Sequence, residues 1–579
     1  MPYIVFSTSK GIQLCDQPVD FHVLDRIPHG ESRKADFHDG YSIMLLAVFK
    51  IVAYQFRFGQ FEIFYSSLLH NPFFYSLPMN TPKASLTQRS ITSVSWNAAA
   101  MIISLPIGFL QSILLARLLP VAVFGVVAGM TSLATLSGAV FEFGLAAAFF
   151  HRSPETRDEE QATRVFFTLR VLFGLVWSVC LVVISIIFLD GLRQLTLLIL
   201  AVMGFGSRFV DAQRTLLVRR VEHRRLAMLD LLTTLSVFAA SVLLAVFTRS
   251  IWALLISPFI SVTLAVFTLL VWKPVWRPHF AWDKSVIRYF LNFGGRTVVG
   301  SVLGVALDHV DDLWTNYYLG DLKLGYYSRA FKFALYPRSI LADPVYSVAT
   351  ATYAELKFER QRLSQAFFRI NALLIRSGFF LGGWLAIIAP NFIRIFMGDK
   401  WMPMLDAFRL MLLYTLLDPV KNTIAGILVA VGKPEKISFA RVVQLLVLLI
   451  GLFTLGFRFQ IAGVALAVDL MLLVGIVLQL FFVKPYVDFS LPRLFLVPMI
   501  SLIVGIGSNW LVSVVWSFQY SDWLALIVNS LVFAISYLSV LLSLEGRLLY
   551  QSINEIVNLA ELWVRVKSTL IRLSRLKIG

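Results

Sequence analysis

From residue 92 to residue 544 the chain repeats one pattern, an apolar run of helix length followed by a short polar connector. Fourteen such windows fall near 92–116, 121–146, 165–189, 195–217, 226–247, 251–272, 294–314, 324–350, 369–389, 408–431, 437–457, 461–482, 494–514 and 524–544. An apolar run of about 20 residues is what a helix needs to cross the hydrocarbon core of a bilayer. The pattern therefore predicts an all-α polytopic membrane protein with about 14 transmembrane helices. Two windows are weak. Arg208, Asp211 and Arg214 interrupt the fourth, and Arg329, Lys332 and Arg338 interrupt the eighth.

The connectors carry a second pattern. Alternate connectors, with the leader from Met79 and the tail, hold 27 Lys and Arg residues, whereas the intervening set holds 7. Basic residues concentrate in cytoplasmic loops, so the alternation predicts that both termini are cytoplasmic. A missing or extra span would scramble it. Composition agrees: mean hydropathy is +0.76 and 15% of the 579 residues are charged, against about 25% in soluble domains. A formal charge of +17 would suggest nucleic acid in a soluble protein, but here its sidedness accounts for it, and no nucleic-acid partner is expected. Cys15 and Cys180 provide neither a disulfide framework nor a thiolate metal site. No metal and no cofactor is expected.

The two ends read differently. Residues 1–78 hold four of the eight histidines and 6 basic against 7 acidic residues, and their apolar run from Ile43 to Tyr54 is broken by Lys50. Met79 opens the basic leader "MNTPKASLTQRS" directly before the first span. The expectation is that translation starts at or near Met79 and that 1–78 carries no packed structure. In the tail, 547–579, the residues Ile556, Leu559, Trp563, Val566, Leu570 and Leu573 form one stripe at helical spacing, with Arg565, Lys567, Arg572, Arg575 and Lys577 around it. This predicts a basic amphipathic helix on anionic membrane lipids. Its competing reading is a docking helix for a glycosyltransferase or polymerase.

The spans repeat. "LLPVAVFGVV" (118–127) aligns with "YLGDLKLGYY" (318–327) at an offset of 200, matching Leu119 with Leu319 and Gly125 with Gly325. "LVRRVEHRRLA" (217–227) aligns with "LVAVGKPEKIS" at 211, and "WALLIS" (252–257) with "VALAVD" at 212. The ordered matches predict two parallel six-helix halves, a transporter architecture with its site between them. The expected units are 79–283, 284–486 and two additional helices in 487–546.

"SWNAAAMIISLPIGFLQSILLARLLPVAVFGVVAGMTSLATL" and "DLWTNYYLGDLKLGYYSRAFKFALYPRSI" resemble the bacterial polysaccharide transporters of the multidrug/oligosaccharidyl-lipid/polysaccharide exporter superfamily. The resemblance spans roughly residues 85–485. Its most specific piece is the spacing of Asp311, Gly320, Gly325 and Tyr326, with Pro337 following. It implies two six-helix lobes forming a V, and flipping of a lipid-linked oligosaccharide out of the cytoplasmic leaflet of the bacterial inner membrane.

Charges within apolar windows are the candidate chemistry, because each costs at least about 2.5–3.5 kcal/mol at the bilayer centre. Asp308, Asp311 and Asp312 share one helix face and form a candidate proton or sodium coupling site. Alternatively, Asp311 and Asp312 end the helix at the outer surface. Arg329 and Lys332, with Arg338 further on, are candidate contacts for a diphosphate, which guanidinium groups fit bidentately. Arg170, Arg208 and Arg214 are candidates for the facing wall. Ion pairing competes with substrate contact for these cations: Arg208, Asp211 and Arg214 are spaced three apart, as are Asp418 and Lys421. Glu142 and Asp230 receive no role.

Two other functional classes remain open. A membrane glycosyltransferase or polymerase needs acids and bases over an acceptor, but the longest outer connector, about 390–407, is short and holds no His. The one Gly–Lys pair, Gly432–Lys433, is followed by Pro434 rather than Ser or Thr, so no phosphate loop for ATP is present. A multidrug or cation antiporter of the same superfamily would share the V but favour an acidic cavity. The expectation is a transporter, not an enzyme.

Overall fold

The computed structural model describes residues 86–152, 159–220, 222–515 and 521–546. The expectations for 1–78 and for the basic tail lie outside these residues. Among the described residues the structure is helical, with no strand, as a bilayer requires of a chain that must satisfy its backbone polar groups internally. The helices are α1 (Leu86–Leu118), α2 (Val121–Glu142), the short α3 (Leu145–His151), α4 (Glu159–Phe188), α5 (Gly191–Arg219), α6 (His223–Thr248) and α7 (Trp252–Val266). After the connector 273–283 come α8 (Lys284–Tyr318), α9 (Gly320–Leu356), α10 (Arg360–Phe392), α11 (Leu405–Ala430), α12 (Pro434–Gly451), α13 (Phe457–Val483) and α14 (Leu491–Val515). A last helix, α15, runs Asp522–Gly546.

Twelve helical stretches among the described residues are long and apolar enough to cross a membrane, against fourteen windows in the sequence. One of the twelve is the 50-residue stretch Pro434–Val483. At 1.5 Å per residue it would measure about 75 Å, more than twice the hydrocarbon core. It holds α12 and α13, which fold back on each other. A Cβ on Gly451 would sit 2.7 Å from that of Ala467, and one on Gly475 2.0 Å from Gln444 Nε2. Gln460, at φ 53°, marks the break. The other difference is α9: it is helical throughout 320–356, but its charges keep it out of the apolar twelve.

Large side chains such as Phe188, Phe247, Val477 and Phe481 are exposed on the outer faces, far more apolar surface than a soluble monomer presents. Inside, Trp401, Tyr327, Tyr353 and Phe408 anchor the largest core, built mainly from α9, α10, α11 and α13. The two last helices attach to this core. Arg376 of α10, buried, receives the Glu545 carboxylate bidentately at 2.6 and 2.8 Å, and Tyr537 Oη donates to the Arg376 carbonyl at 2.9 Å.

The crossing of α2 and α9 shows why Gly125 and Gly325 are needed. A Cβ on Gly125 would lie 1.8 Å from the Asp321 carbonyl oxygen, and one on Gly325 2.3 Å from that of Val121. At an offset of 200 these are the same contact made twice, each glycine meeting the other helix's first turn. Only a residue without a side chain lets backbones approach this closely. The same end of the molecule is tied further. Lys400 Nζ donates to the carbonyls of Arg117 and Leu119, both at 2.9 Å, and Trp401 Nε1 donates to Ala116 at 2.9 Å. These cations and donors satisfy the free carbonyls at the end of α1. Arg193 pairs with Asp321 at 3.0 Å. All the basic residues in these contacts belong to the basic-poor set of connectors.

Candidate functional site

The three aspartates of α8 share a face, yet they meet different surroundings. Asp311 is buried and accepts a short hydrogen bond from Tyr327 Oη of α9; its other oxygen has no partner. Asp312 accepts from Ser132 Oγ of α2 at 2.7 Å, and Ser132 also lies 3.1 Å from His309 Nδ1. Asp308 is exposed, with no hydrogen bond or ion pair among the described residues. The alternative in which Asp311 and Asp312 end the helix at the outer surface is overturned, because α8 continues to Tyr318 and Asp311 is only 6% exposed.

On α9, Arg329 stacks its guanidinium over Phe124 of α2, 4.4 Å from the ring centroid, and its Nε is buried without a partner. Lys332, one turn on, is exposed to solvent yet surrounded by protein. Neither makes an ion pair with a described residue. The face is fixed by what flanks it: Tyr336, one turn further, lies 3.1 Å from Ser112 Oγ of α1 and packs edge-on against Phe109. Arg329 and Lys332 thus point between α9 and the α1–α2 pair rather than toward lipid. This is the position expected of cations that line a polar interior.

Arg338 is different. It pairs with Asp418 of α11 at 2.7 Å, and Lys421 pairs with the same carboxylate at 2.7 Å. Asn422 Nδ2 donates to it at 2.9 Å. Asp418 is 2% exposed. It holds one cation of α9 and one of α11 on a single carboxylate.

In the first half of the chain Arg170 and Arg208 have their charge matched by carboxylates, although the Nε of each is buried without a hydrogen-bond partner among the described residues. Arg170 of α4 donates to Asp211 through a short contact and lies 3.3 Å from Glu142. Arg208 reaches Glu142 at 3.2 Å and Asp211 at 3.5 Å, and stacks over Trp177 at 5.2 Å. Gly174 makes room for it, since a Cβ there would lie 2.5 Å from Arg208 Cγ. Two arginines share two carboxylates. The spacing of Arg208 and Asp211 foreshadowed their contact; Arg214, by contrast, turns away from Asp211 and lies 3.9 Å from Asp230 of α6.

Asp469 of α13 was missed by the sequence reading. It is 4% exposed and neither carboxylate oxygen has a hydrogen-bond partner. A lone carboxylate in "GVALAVDLMLLVG" was the signal. It was used there only to align the repeat. No cluster of three or more His, Cys, Asp or Glu among the described residues has the geometry to hold a metal ion.

Known proteins share this architecture and sequence. The inward closed conformation of the lipid II flippase MurJ superposes with a TM-score of 0.66 at 15% identity, covering 78% of this chain and 99% of that one. An inward-facing multidrug resistance MATE family transporter superposes at 0.52 with 16% identity, covering 69% of this chain and 98% of the other. At these identities the likeness is one of fold. In sequence, the Escherichia coli K12 lipopolysaccharide biosynthesis protein WzxC is 25% identical over 70% of this chain and 83% of its own length. A Klebsiella pneumoniae membrane protein of the cps region is 23% identical over 62% of this chain and 75% of its own length. Residues 114–406, half of the chain, match the family described as "Polysaccharide biosynthesis protein", and this multi-pass, all-α membrane protein belongs to that family.

Proposed function

We propose that the protein flips lipid-linked oligosaccharide or polysaccharide precursors across the bacterial cytoplasmic membrane by alternating access, with a proton or sodium gradient as driving force. The moving bodies are residues 79–283 and 284–486, and both termini are cytoplasmic. The observation that carries this reading is the pair Arg329 and Lys332, which no carboxylate of the described protein neutralises. A cation held among apolar helices without a counter-charge is expensive, so a pair kept in this state suits an anion that arrives from outside. The diphosphate linking a saccharide to its polyprenyl carrier is such an anion, and Arg329, stacked on Phe124, presents a pre-oriented guanidinium fork to it. A cavity serving cationic drugs would carry its surplus as carboxylates.

The contacts that join Arg117, Lys400, Trp401, Gly125 and Gly325 lie at the basic-poor end, which the charge alternation assigns to the outer face. Closure there, with Lys332 still exposed, corresponds to a cavity that loads from the cytoplasmic side. Asp311 and Asp312 serve as the coupling site. Their contacts with Tyr327 and Ser132 run to α9 and α2, so a change in their charge acts on the helices that close the outer end. The names of relatives support the substrate class: WzxC of lipopolysaccharide biosynthesis, and the succinoglycan biosynthesis transport protein ExoT of Rhizobium meliloti.

The test is reconstitution. Purified protein in liposomes should carry a fluorescent polyprenyl-diphosphate saccharide to the outer leaflet, read by an impermeant quencher. It should leave a lipophilic cationic dye unmoved. Flip rates no higher than those of protein-free liposomes would reject the proposal. Asp311→Asn should flip substrate without response to an imposed ion gradient; an unchanged response would return Asp311 to a structural role.

A further inference from the structure

One contact between the two halves of the chain is a run of titratable and hydroxyl groups. Ser132 of α2 is 2% exposed, and its hydroxyl touches two residues of α8 at once. It donates to Asp312 Oδ2 at 2.7 Å and lies 3.1 Å from His309 Nδ1. His309 and Asp312 do not hydrogen-bond directly, since Nδ1 and Oδ2 are 4.0 Å apart. With its own proton committed to the carboxylate, the Ser132 oxygen accepts from the Nδ1–H of the ring. The order is therefore imidazole N–H to hydroxyl to carboxylate. The His309 side chain is 27% exposed, so the run begins at a group that solvent reaches.

Such a run passes a proton without any heavier ion. A proton taken up at Nε2 makes an imidazolium. The Nδ1 proton then moves to Ser132 Oγ while the proton of that hydroxyl moves to Asp312 Oδ2. The ring is left neutral, the hydroxyl restored and the carboxylate converted to a carboxyl. Sodium suits these atoms poorly, because hard cations take oxygen ligands grouped about one point. Here a ring nitrogen faces the hydroxyl oxygen, and the hydroxyl proton faces the carboxylate. The consequence reaches the interface. A hydrogen bond to an ionised group is about twice as strong as a neutral one, so protonation of Asp312 loosens α8 from α2. The same seam runs on toward the outer end. Asn316, one turn beyond Asp312, packs where a Cβ on Gly129 would lie 2.6 Å from its Cγ, and it donates to Asp321 at 2.7 Å.

Other charged groups around this stretch are spoken for or stand apart. On α8, Asp308 adjoins His309 and Asp311 adjoins Asp312. The titratable residue of α2 is Glu142, which meets Arg170 and Arg208. Tyr327 of α9 donates to Asp311, with Arg329 and Lys332 beyond it, and Arg441 of α12 donates to the Gly300 carbonyl at 2.7 Å. Asp469 of α13 is buried. We propose that His309, Ser132 and Asp312 form a proton relay across the interface of the two halves, with His309 as the residue that takes the proton up, and that the coupling ion is therefore a proton.

The proposal rests on the flippase reading, and the experiment separates the two. In full-length protein carrying Cys15→Ser and Cys180→Ser, spin labels are attached at Leu192→Cys of α5 and Tyr317→Cys of α8, both exposed positions near the outer end. In nanodiscs without substrate, lowering the pH from about 8 to about 5, the range in which histidine changes charge, should lengthen the distance between the labels. Added sodium at constant pH should not. His309→Gln and Ser132→Ala should each remove the pH response, whereas a merely structural role would shift the distance at every pH and keep the response. Asp312→Asn, neutral like the protonated carboxyl, should show the longer distance throughout. In liposomes a one-unit pH gradient should change wild-type flipping by up to about tenfold, the factor that one proton carries per unit, and His309→Gln should not respond. A pH response that survives in His309→Gln, no pH response in the wild type, or a sodium response at constant pH overturns the relay. Labels that respond to pH in a protein that flips no lipid-linked saccharide overturn the flippase reading and leave the relay standing. Melting temperatures of the variants exclude misfolding as the cause of a loss.

Discussion

In the α4–α5 pair, Arg170 and Arg208 stand against Glu142 and Asp211, two cations on two carboxylates within 3.5 Å. In α9, Arg329 stacks on an aromatic ring and Lys332 is exposed, and neither meets a carboxylate among the described residues. Both sets are cations embedded in apolar helices, and from spacing alone they were candidates for the same job. The difference lies in the counter-charge. A saturated network gives up little by staying closed and has little left to offer a ligand, since the desolvation of its charges is already offset by partners. An unsaturated pair keeps its charge available, which is what the proposed diphosphate contact requires.

The comparison breaks most sharply on removal of each cation. Arg329→Ala and Lys332→Ala should each reduce flipping of a lipid-diphosphate saccharide by roughly 10- to 100-fold, the scale of a lost charge-assisted contact, with protein still reaching the membrane at normal levels. Arg329→Lys separates charge from geometry. Substantial activity means that charge suffices, while loss means that the bidentate fork is used. Wild-type flipping by both alanine variants would place this pair with the saturated set.

Arg170→Ala should fail differently. It leaves Asp211, 19% exposed at its side chain, and Glu142 with one arginine between them. Breaking a buried pair from one side costs about 3–5 kcal/mol. Glu142 is half exposed, so the loss here should sit at or below the lower end of that range. The expected result is lower abundance and a lower melting temperature, both partly restored in the double variant Arg170→Gln/Asp211→Asn, which removes the charges together. A stable, well-expressed Arg170→Ala that has lost only transport would move Arg170 into the substrate wall.

Which set a cation joins was only partly legible in the sequence, and the reason is distance along the chain. The helices were legible, because twenty apolar residues in a row have few other fates. The contact of Lys421 with Asp418 was legible too, because residues three apart meet on one helix face. The partner of Arg170 is 41 residues away, that of Arg338 is on another helix, and Arg376 and Glu545 are 169 apart. No periodicity encodes such pairs; they exist only once α4 lies on α5 and α15 on α10. The offset of 200 between Gly125 and Gly325 was visible as a repeat, yet nothing in it foretold that the two positions would touch reciprocally. Asp469 was overlooked for the opposite reason. It was a lone charge with no charged neighbour in sequence to draw attention to it, and its carboxylate oxygens find no hydrogen-bond partner among the described residues.

Arg214 is the intermediate case, and the smallest effect should come from it. It lies 3.9 Å from Asp230, and the two side chains are 39% and 58% exposed. A pair this open and this long is worth between nothing and about 1 kcal/mol, so Arg214→Ala should leave the melting temperature nearly unchanged. The residue sits on α5 two turns from Arg208, on the part of the helix that runs toward the basic-rich end. An exposed cation there still adds to the positive field that meets an anionic head group, an effect that salt screens within about 10 Å at 0.1 M. Flipping by Arg214→Ala should therefore fall less than threefold at physiological ionic strength, and the deficit should shrink further as salt is raised. A loss as deep as that of Arg329→Ala, insensitive to salt, would show that exposure does not separate the working cations from the structural ones and that a direct contact holds Arg214 to the substrate.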